Sequence, residues 1–349
     1  MGAEVSKPPV GFSRRRFWLK ALLGLAITSG LVLFLVRYVD WHHIAALSRS
    51  ANWWLLASVV PLYVVLYIVR AERFILLAPG TPFSVMFCIT AIHNFMLRVL
   101  PMRTGELSYA FLVRRAGTSG IGESLLGLFL LRLLDATAVV LIFVAALAID
   151  RTTYRDDSQL ALLIAGGVAL VGALTVLFFR QLLSIGFVTF AGTLKLLGLT
   201  RYQRIASVVE KLSELIRSYT RLTPRLILAQ AGLTLVMWVF NFVIVFAMMR
   251  GFSVKVSFVQ AVLGGTGATV TGFLPIGGVG TFGALEAGWA VGFVLVGLNK
   301  SLAVATGFGF SLVTFVGAAL LALASWILFN RLVARPETPQ IAPEVGNGS

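Results

Sequence analysis

Arg98 and Arg103 stand on either side of Pro101, in a stretch that continues Leu100-Pro101-Met102-Arg103-Thr104-Gly105-Glu106. Two guanidiniums so placed can each offer a planar fork of donors to a phosphate oxyanion. The proline interrupts the helix before it. The helix N-terminus opened by that break adds unpaired N–H groups and a favourable dipole for the same anion. Glu106 has three readings: it caps the second helix, neutralises Arg103, or meets a cationic head group. A second, loosened copy follows as Phe273-Leu274-Pro275-Ile276-Gly277-Gly278-Val279-Gly280, with Glu286 beyond it and no arginine nearby. Here Gly264, Gly265 and Gly267 before Pro275, and Gly277, Gly278 and Gly280 after it, suit either a flexible gate or close helix packing. Gly283, Gly288, Gly292 and Gly297 continue a small-residue stripe of the packing kind.

Arg132 and Asp135 complete the ionisable groups of interest. Three residues apart, they share a helix face and can bridge each other, in a structural or a functional role. Charges at membrane depth are expensive, so each of these residues is a candidate for the substrate path. Three histidines without a Cys or carboxylate cluster give no metal site, and no cofactor is expected. His42 and His43 beside Trp41 read as interfacial, and His93 as a packed helix residue. The single Cys88 excludes an intramolecular disulfide.

The elements that must position these groups follow from composition. The chain is 58% hydrophobic and 12% charged, with a mean hydropathy of +0.92. A polytopic all-α membrane protein is the class that fits. The net charge of +15 comes from basic residues in short runs between apolar segments. That is a topology signal and an affinity for anionic lipid, not a nucleic-acid footprint.

Six stretches are long enough to span: 18–37, 53–70, 122–148, 160–179, 226–249 and 302–329. The segments 82–115 and 254–298 read as helix–break–helix, either re-entrant hairpins or interfacial loops. Ser13-Arg14-Arg15-Arg16 before the first span resembles a twin-arginine signal, but no small-residue cleavage site follows. The reading is an uncleaved helix behind a cytoplasmic N-terminus, residues 1–17. With that end inside, nineteen of the 29 Lys and Arg fall on the cytoplasmic side, Arg70 and Arg73 among them, and seven on the other. Span, span, hairpin, span then occurs twice, over 18–148 and 160–329, starting on opposite faces. Inverted repeats with matching broken helices are a carrier architecture whose site lies where the breaks meet. Residues 181–225 alternate apolar and basic residues as an amphipathic cytoplasmic segment, and 330–349 read as a disordered cytoplasmic tail.

Several of these features together resemble one family. They are Arg70-Ala71-Glu72-Arg73-Phe74 at the end of the second span, His93-Asn94-Phe95 before Leu100 to Glu106, Arg132-Leu133-Leu134-Asp135, and Leu274 to Gly280 with Glu286. The chain is similar to the lysylphosphatidylglycerol synthase transmembrane-region family of flippase-like membrane proteins. The resemblance covers nearly the whole chain and implies a lipid translocase. In the full-length synthases the membrane region moves an aminoacylated phospholipid, and a C-terminal cytoplasmic domain makes it from aminoacyl-tRNA. Only about twenty residues follow Phe329, so lipid aminoacylation is not expected of this chain.

The expectation is therefore a non-enzymatic lipid translocase in a bacterial inner membrane, both termini cytoplasmic. Its partners are membrane lipids with an anionic or phosphate head group, a homo-oligomer being left open. No nucleotide-binding loop occurs, so downhill scrambling, ion coupling through Glu106 or Glu286, and potential-driven movement stay open. Competing readings are a secondary carrier of a soluble substrate and a non-catalytic partner in a lipid-synthesis pathway. A membrane-embedded transferase using Glu106 or Asp135 as base is the weakest, for want of a nucleophile constellation.

Overall fold

The computed structural model describes residues 49–100, 104–150, 179–196, 223–273 and 283–333, with the single positions 207, 210 and 213. The spans expected at 18–37 and 160–179 lie outside these residues, apart from position 179. So do Pro101, Arg103, Pro275, Gly277, Gly278 and Gly280, the core of the amphipathic segment, and 334–349.

Among the described residues the regular elements are helices. They are α1 (Trp53–Ile75), α2 (Phe83–Val99), α3 (Glu106–Arg115), α4 (Ile121–Ile149), α5 (Phe179–Leu196), α6 (Pro224–Gly251), α7 (Phe258–Phe273), α8 (Ala284–Leu295) and α9 (Lys300–Val333). Helices α1, α4, α6 and α9 are long and apolar enough to cross a membrane. The chain is an integral membrane protein. Large side chains left exposed, such as Val60 (64%), Val291 (61%) and Leu320 (64%), are what a lipid-facing surface requires.

Local chemistry sets the helix ends. The Asn52 side chain accepts from Leu55 N at 3.3 Å to start α1, and Thr223 does the same for Leu226 N before Pro224 at the first turn of α6. Leu100 ends α2 in an extended conformation, φ −84° and ψ 131°. A residue before proline prefers that region, so the Leu-Pro break is written into the backbone. Gly283 precedes α8 at φ +91°, which favours glycine.

The helices differ from expectation mainly in length. Helix α1 runs five residues past Arg70, and α9 passes 330 to end at Val333. Two short pairs interrupt the long helices. At 1.5 Å per residue, α2 is about 25 Å long and α3 about 15 Å; α7 is about 24 Å and α8 about 18 Å. Each is shorter than a hydrocarbon core of ~30 Å.

The two arms of each pair pack on each other, α2 on α3 and α7 on α8. Helix α1 lies against α6. Helix α2 packs on α1 and α9, and α7 packs on α6 and α4. Helix α3 rests on α4, and α8 on α9.

Two apolar clusters form the core. One gathers Val59 and Leu66 of α1, Leu147 of α4, Phe242 of α6, Trp289 of α8 and Phe310 of α9. The other gathers Phe74 of α1, Ile89 of α2, Tyr109 of α3, Leu131 of α4 and Phe329 of α9. Tyr67 and Arg70 of α1, and Ser311 and Thr314 of α9, fall where membership passes from one cluster to the other.

Candidate functional site

The polar layer between these clusters holds three groups of side chains. The first is a chain of four charges. Arg73 Nη2 lies 2.8 Å from Asp135 Oδ1, with both side chains buried. Arg132 approaches Asp135 Oδ2 at 3.7 Å, and its Nε donates to Glu106 Oε1 at 3.1 Å. Trp238 Nε1 donates to Asp135 at 3.2 Å, and Gln230 Nε2 donates to the Arg73 carbonyl at 2.7 Å. Neither Arg73 Nη2 nor Nε completes an aligned hydrogen bond, so Arg73 is held chiefly by opposite charge. Two cations and two anions balance, and the chain ties α1, α3, α4 and α6 together.

Arg73 lies deeper in the protein than a surface charge. It counted among the cytoplasmic charges of the sequence, but it is 4% exposed. The extra turn of α1 carries it into the protein. Arg132 and Asp135 do meet, as their spacing implies, but each has a closer partner on another helix.

The second group surrounds Tyr67. Arg98, in the last turn of α2, is half-buried and donates through Nη1 to Thr314 Oγ1 of α9 at 3.1 Å. Arg70 donates to Asn94 Oδ1 at 3.0 Å, and its guanidinium carbon stands 5.4 Å from the centre of the Tyr67 ring. Both guanidiniums act on Tyr67 electrostatically. That tyrosine is fully buried, and its hydroxyl has no hydrogen-bond partner. Tyr63 OH reaches the Thr314 carbonyl at 3.4 Å. Among the described residues neither Arg70 nor Arg98 forms an ion pair. Two unneutralised forks beside a hydroxyl suit an anionic oxygen group. Arg98 lies 15 residues into α2, about 22 Å along the axis from its start.

The third group belongs to the second break. Glu286, 4% exposed, accepts the Gly283 N–H through Oε2 at 2.6 Å, closing the first turn of α8. Ser311 of α9 is its side-chain neighbour, yet neither Oε1 nor Ser311 Oγ completes an aligned hydrogen bond. Arg98 is the charged group that acts on it.

Several of the described glycines serve packing, whereas Gly283 and Gly297 have nothing within 4 Å of their Cβ positions and a positive φ. A Cβ at Gly105 would overlap the Met96 carbonyl, so the first hairpin closes only without a side chain there. Gly267 meets the Gly288 carbonyl, and Gly292 meets that of Gly264, backbone against backbone. His93 is a packed helix residue, its Nδ1 3.1 Å from Ser108 Oγ.

Of the sequence candidates, the fold links Glu106, Arg132 and Asp135, and sets Arg98 near Glu286. Arg70, Tyr67, Ser311 and Thr314 were not among those candidates. Tyr63, Tyr67 and Arg70, at i, i+4 and i+7, share a helix face, and that period was a usable signal.

A family model described as lysylphosphatidylglycerol synthase TM region matches residues 21–322. No curated protein and no solved structure matches the chain.

Proposed function

The chain belongs to the lysylphosphatidylglycerol synthase TM-region family, and we propose that it is a translocase that moves a polar lipid with an anionic or phosphate head group between leaflets. The observation that carries this reading is the state of the deep arginines. Arg73 and Arg132 are matched by Asp135 and Glu106, whereas Arg98 and Arg70 donate to neutral side chains and form no ion pair among the described residues. A cation held in the membrane without a counter-charge is costly. A passing phosphate supplies that counter-charge.

Helix pairing supports an alternating-access mechanism. Helix α1 packs on α6; α2 crosses to α9 as α7 crosses to α4. Those pairings are what an inverted repeat requires, with α1 to α4 equivalent to α6 to α9. In this reading the short arms are re-entrant hairpins and Arg98 sits near the tip of the first. Rocking one repeat against the other then exposes the Arg70–Arg98 pocket to each leaflet in turn, while the lipid tail stays in hydrocarbon. The chain works as a carrier without covalent chemistry, in a bacterial inner membrane with both termini cytoplasmic. Pro101, Arg103 and the Pro275–Gly280 segment are assigned to the same path by sequence.

The test is leaflet exchange in proteoliposomes, with fluorescent lipids bearing anionic, zwitterionic and cationic head groups. The expected result is exchange fastest for anionic lipids and lost in Arg98→Ala. Equal rates for every head group, or no exchange together with saturable uptake of a soluble anion, would overturn it.

A further inference from the structure

Glu286 and Ser311 are a pair of buried oxygens that the packing of α8 on α9 leaves incomplete. Glu286 Oε2 is spent on the Gly283 N–H. Oε1 and Ser311 Oγ are both buried and neither completes an aligned hydrogen bond, although the two side chains lie close enough to act on each other. A buried polar atom normally has a hydrogen-bond partner. Two oxygens are too few to replace the hydration of a hard metal cation, which takes six or more. A single proton fits: a protonated carboxyl gains an O–H donor, and a serine hydroxyl can accept it.

We infer that Glu286 and Ser311 form a proton site whose occupancy is linked to an anion on Arg98. The charged surroundings are simple enough to make the linkage specific. Helix α8 has no other titratable residue, α7 has none, and those of α9 are Lys300 and Arg331 at its ends. The charge that acts on Glu286 comes from Arg98, which Thr314 holds one turn beyond Ser311. With the pocket empty, Arg98 forms no ion pair with Glu286 but acts on it at a distance. When a phosphate takes Arg98, the anion cancels that distant positive field, and a buried charge without compensation is costly. The carboxylate then binds a proton from water on the side to which the pocket is open. When the anion leaves on the other side, Arg98 is free again and the proton returns to water there. No covalent bond changes; one proton enters and leaves with each anion. The linkage, though not the proton site itself, rests on the assignment of Arg98 to the head group.

Short-chain phosphatidylglycerol is added to the purified protein in weakly buffered detergent solution, with short-chain phosphatidylcholine as the neutral control. Binding is followed by calorimetry and proton uptake by a pH dye. Infrared difference spectra record the C=O stretch of a protonated carboxyl. The expected result is uptake of roughly one proton per bound phosphatidylglycerol, with a carboxyl band that is absent in Glu286→Gln. Glutamine keeps an acceptor for the Gly283 N–H, so the helix cap survives. Ser311→Ala should keep the band and move it to higher frequency, because the hydrogen bond is gone. A merely structural serine would leave the frequency where it was. Binding without proton uptake, or a band that persists in Glu286→Gln, overturns the proposal. If phosphatidylglycerol does not bind but acidification still raises a band that Glu286→Gln removes, the proton site stands and the lipid assignment of Arg98 falls.

Discussion

Arg73 Nη2 lies 2.8 Å from Asp135 Oδ1, joining α1 to α4 across the polar layer with both side chains almost wholly buried. Removing one member of such a pair leaves an uncompensated buried charge, which costs about 3–5 kcal/mol. Asp135→Ala should therefore lower unfolding stability by that order. The double variant Arg73→Met/Asp135→Leu should recover most of the loss, since an apolar pair of similar volume removes both charges. Denaturant or thermal unfolding in detergent measures both. A double variant as unstable as Asp135→Ala would mean that the pair supports more than its own burial.

Glu106 and Arg132 pair at 3.1 Å, but their side chains are 27% and 30% exposed. Solvent screens them far more, so Glu106→Gln should cost about 1 kcal/mol or less. The same unfolding measurement checks the ranking: Asp135 well above Glu106. Equal losses would show that Glu106 is dehydrated in the membrane.

How much of this was legible in the sequence depends on the distance over which each contact acts. The break at Leu100-Pro101 is local, because proline restricts its neighbour wherever the chain goes. Arg132 beside Asp135 is equally local, since three residues on a helix are always neighbours. The presence of α1, α4, α6 and α9 followed from apolar runs alone, although α1 and α9 run on past the ends of those runs. Arg73 could not be placed the same way. Its burial depends on Asp135, 62 positions later in the chain, and the drop in hydropathy at Arg70-Ala71-Glu72-Arg73 looks like a membrane boundary. Thr314 and Ser311 carry no signal in an apolar helix until α2 and α8 pack against them. Of the glycine stripe, Gly288 and Gly292 pack backbone against backbone, whereas Gly283 and Gly297 stand in open space at positive φ, where the backbone conformation is what favours glycine.

Helices α7 and α8 touch through Gly264 with Gly292 and Gly267 with Gly288; the Cβ positions of Gly267, Gly288 and Gly292 each face a partner carbonyl, and that of Gly264 faces the Phe293 ring. Gly292→Ala should push the arms apart at a cost of about 1–3 kcal/mol. Gly232→Ala is the control: nothing lies within 4 Å of that position on α6, so stability should hold or rise slightly through helix propensity. Parallel unfolding curves decide the point. Equal behaviour of the two variants would remove the close contact.

Arg98 separates shape from charge. Its partner Thr314 Oγ1 also donates to Phe310 O at 2.8 Å, so the hydroxyl keeps a hydrogen bond when the guanidinium is removed. Arg98→Ala should then fold with a stability within about 1 kcal/mol of the parent, losing one modest hydrogen bond, while exchange of anionic lipid falls at least about tenfold, the loss of roughly 1.4 kcal/mol of binding. Arg98→Lys restores the charge but not the planar fork, and should recover part of the rate because a point charge still attracts phosphate. Arg70→Lys should behave alike, since Arg70 is the second unneutralised fork beside Tyr67. Exchange assays with the four proteins side by side, normalised to folded protein by size-exclusion chromatography, give the ranking. If Arg98→Lys is as inactive as Arg98→Ala, bidentate geometry dominates over charge. If Arg98→Ala exchanges anionic lipid at the parent rate, the head group does not pass this residue.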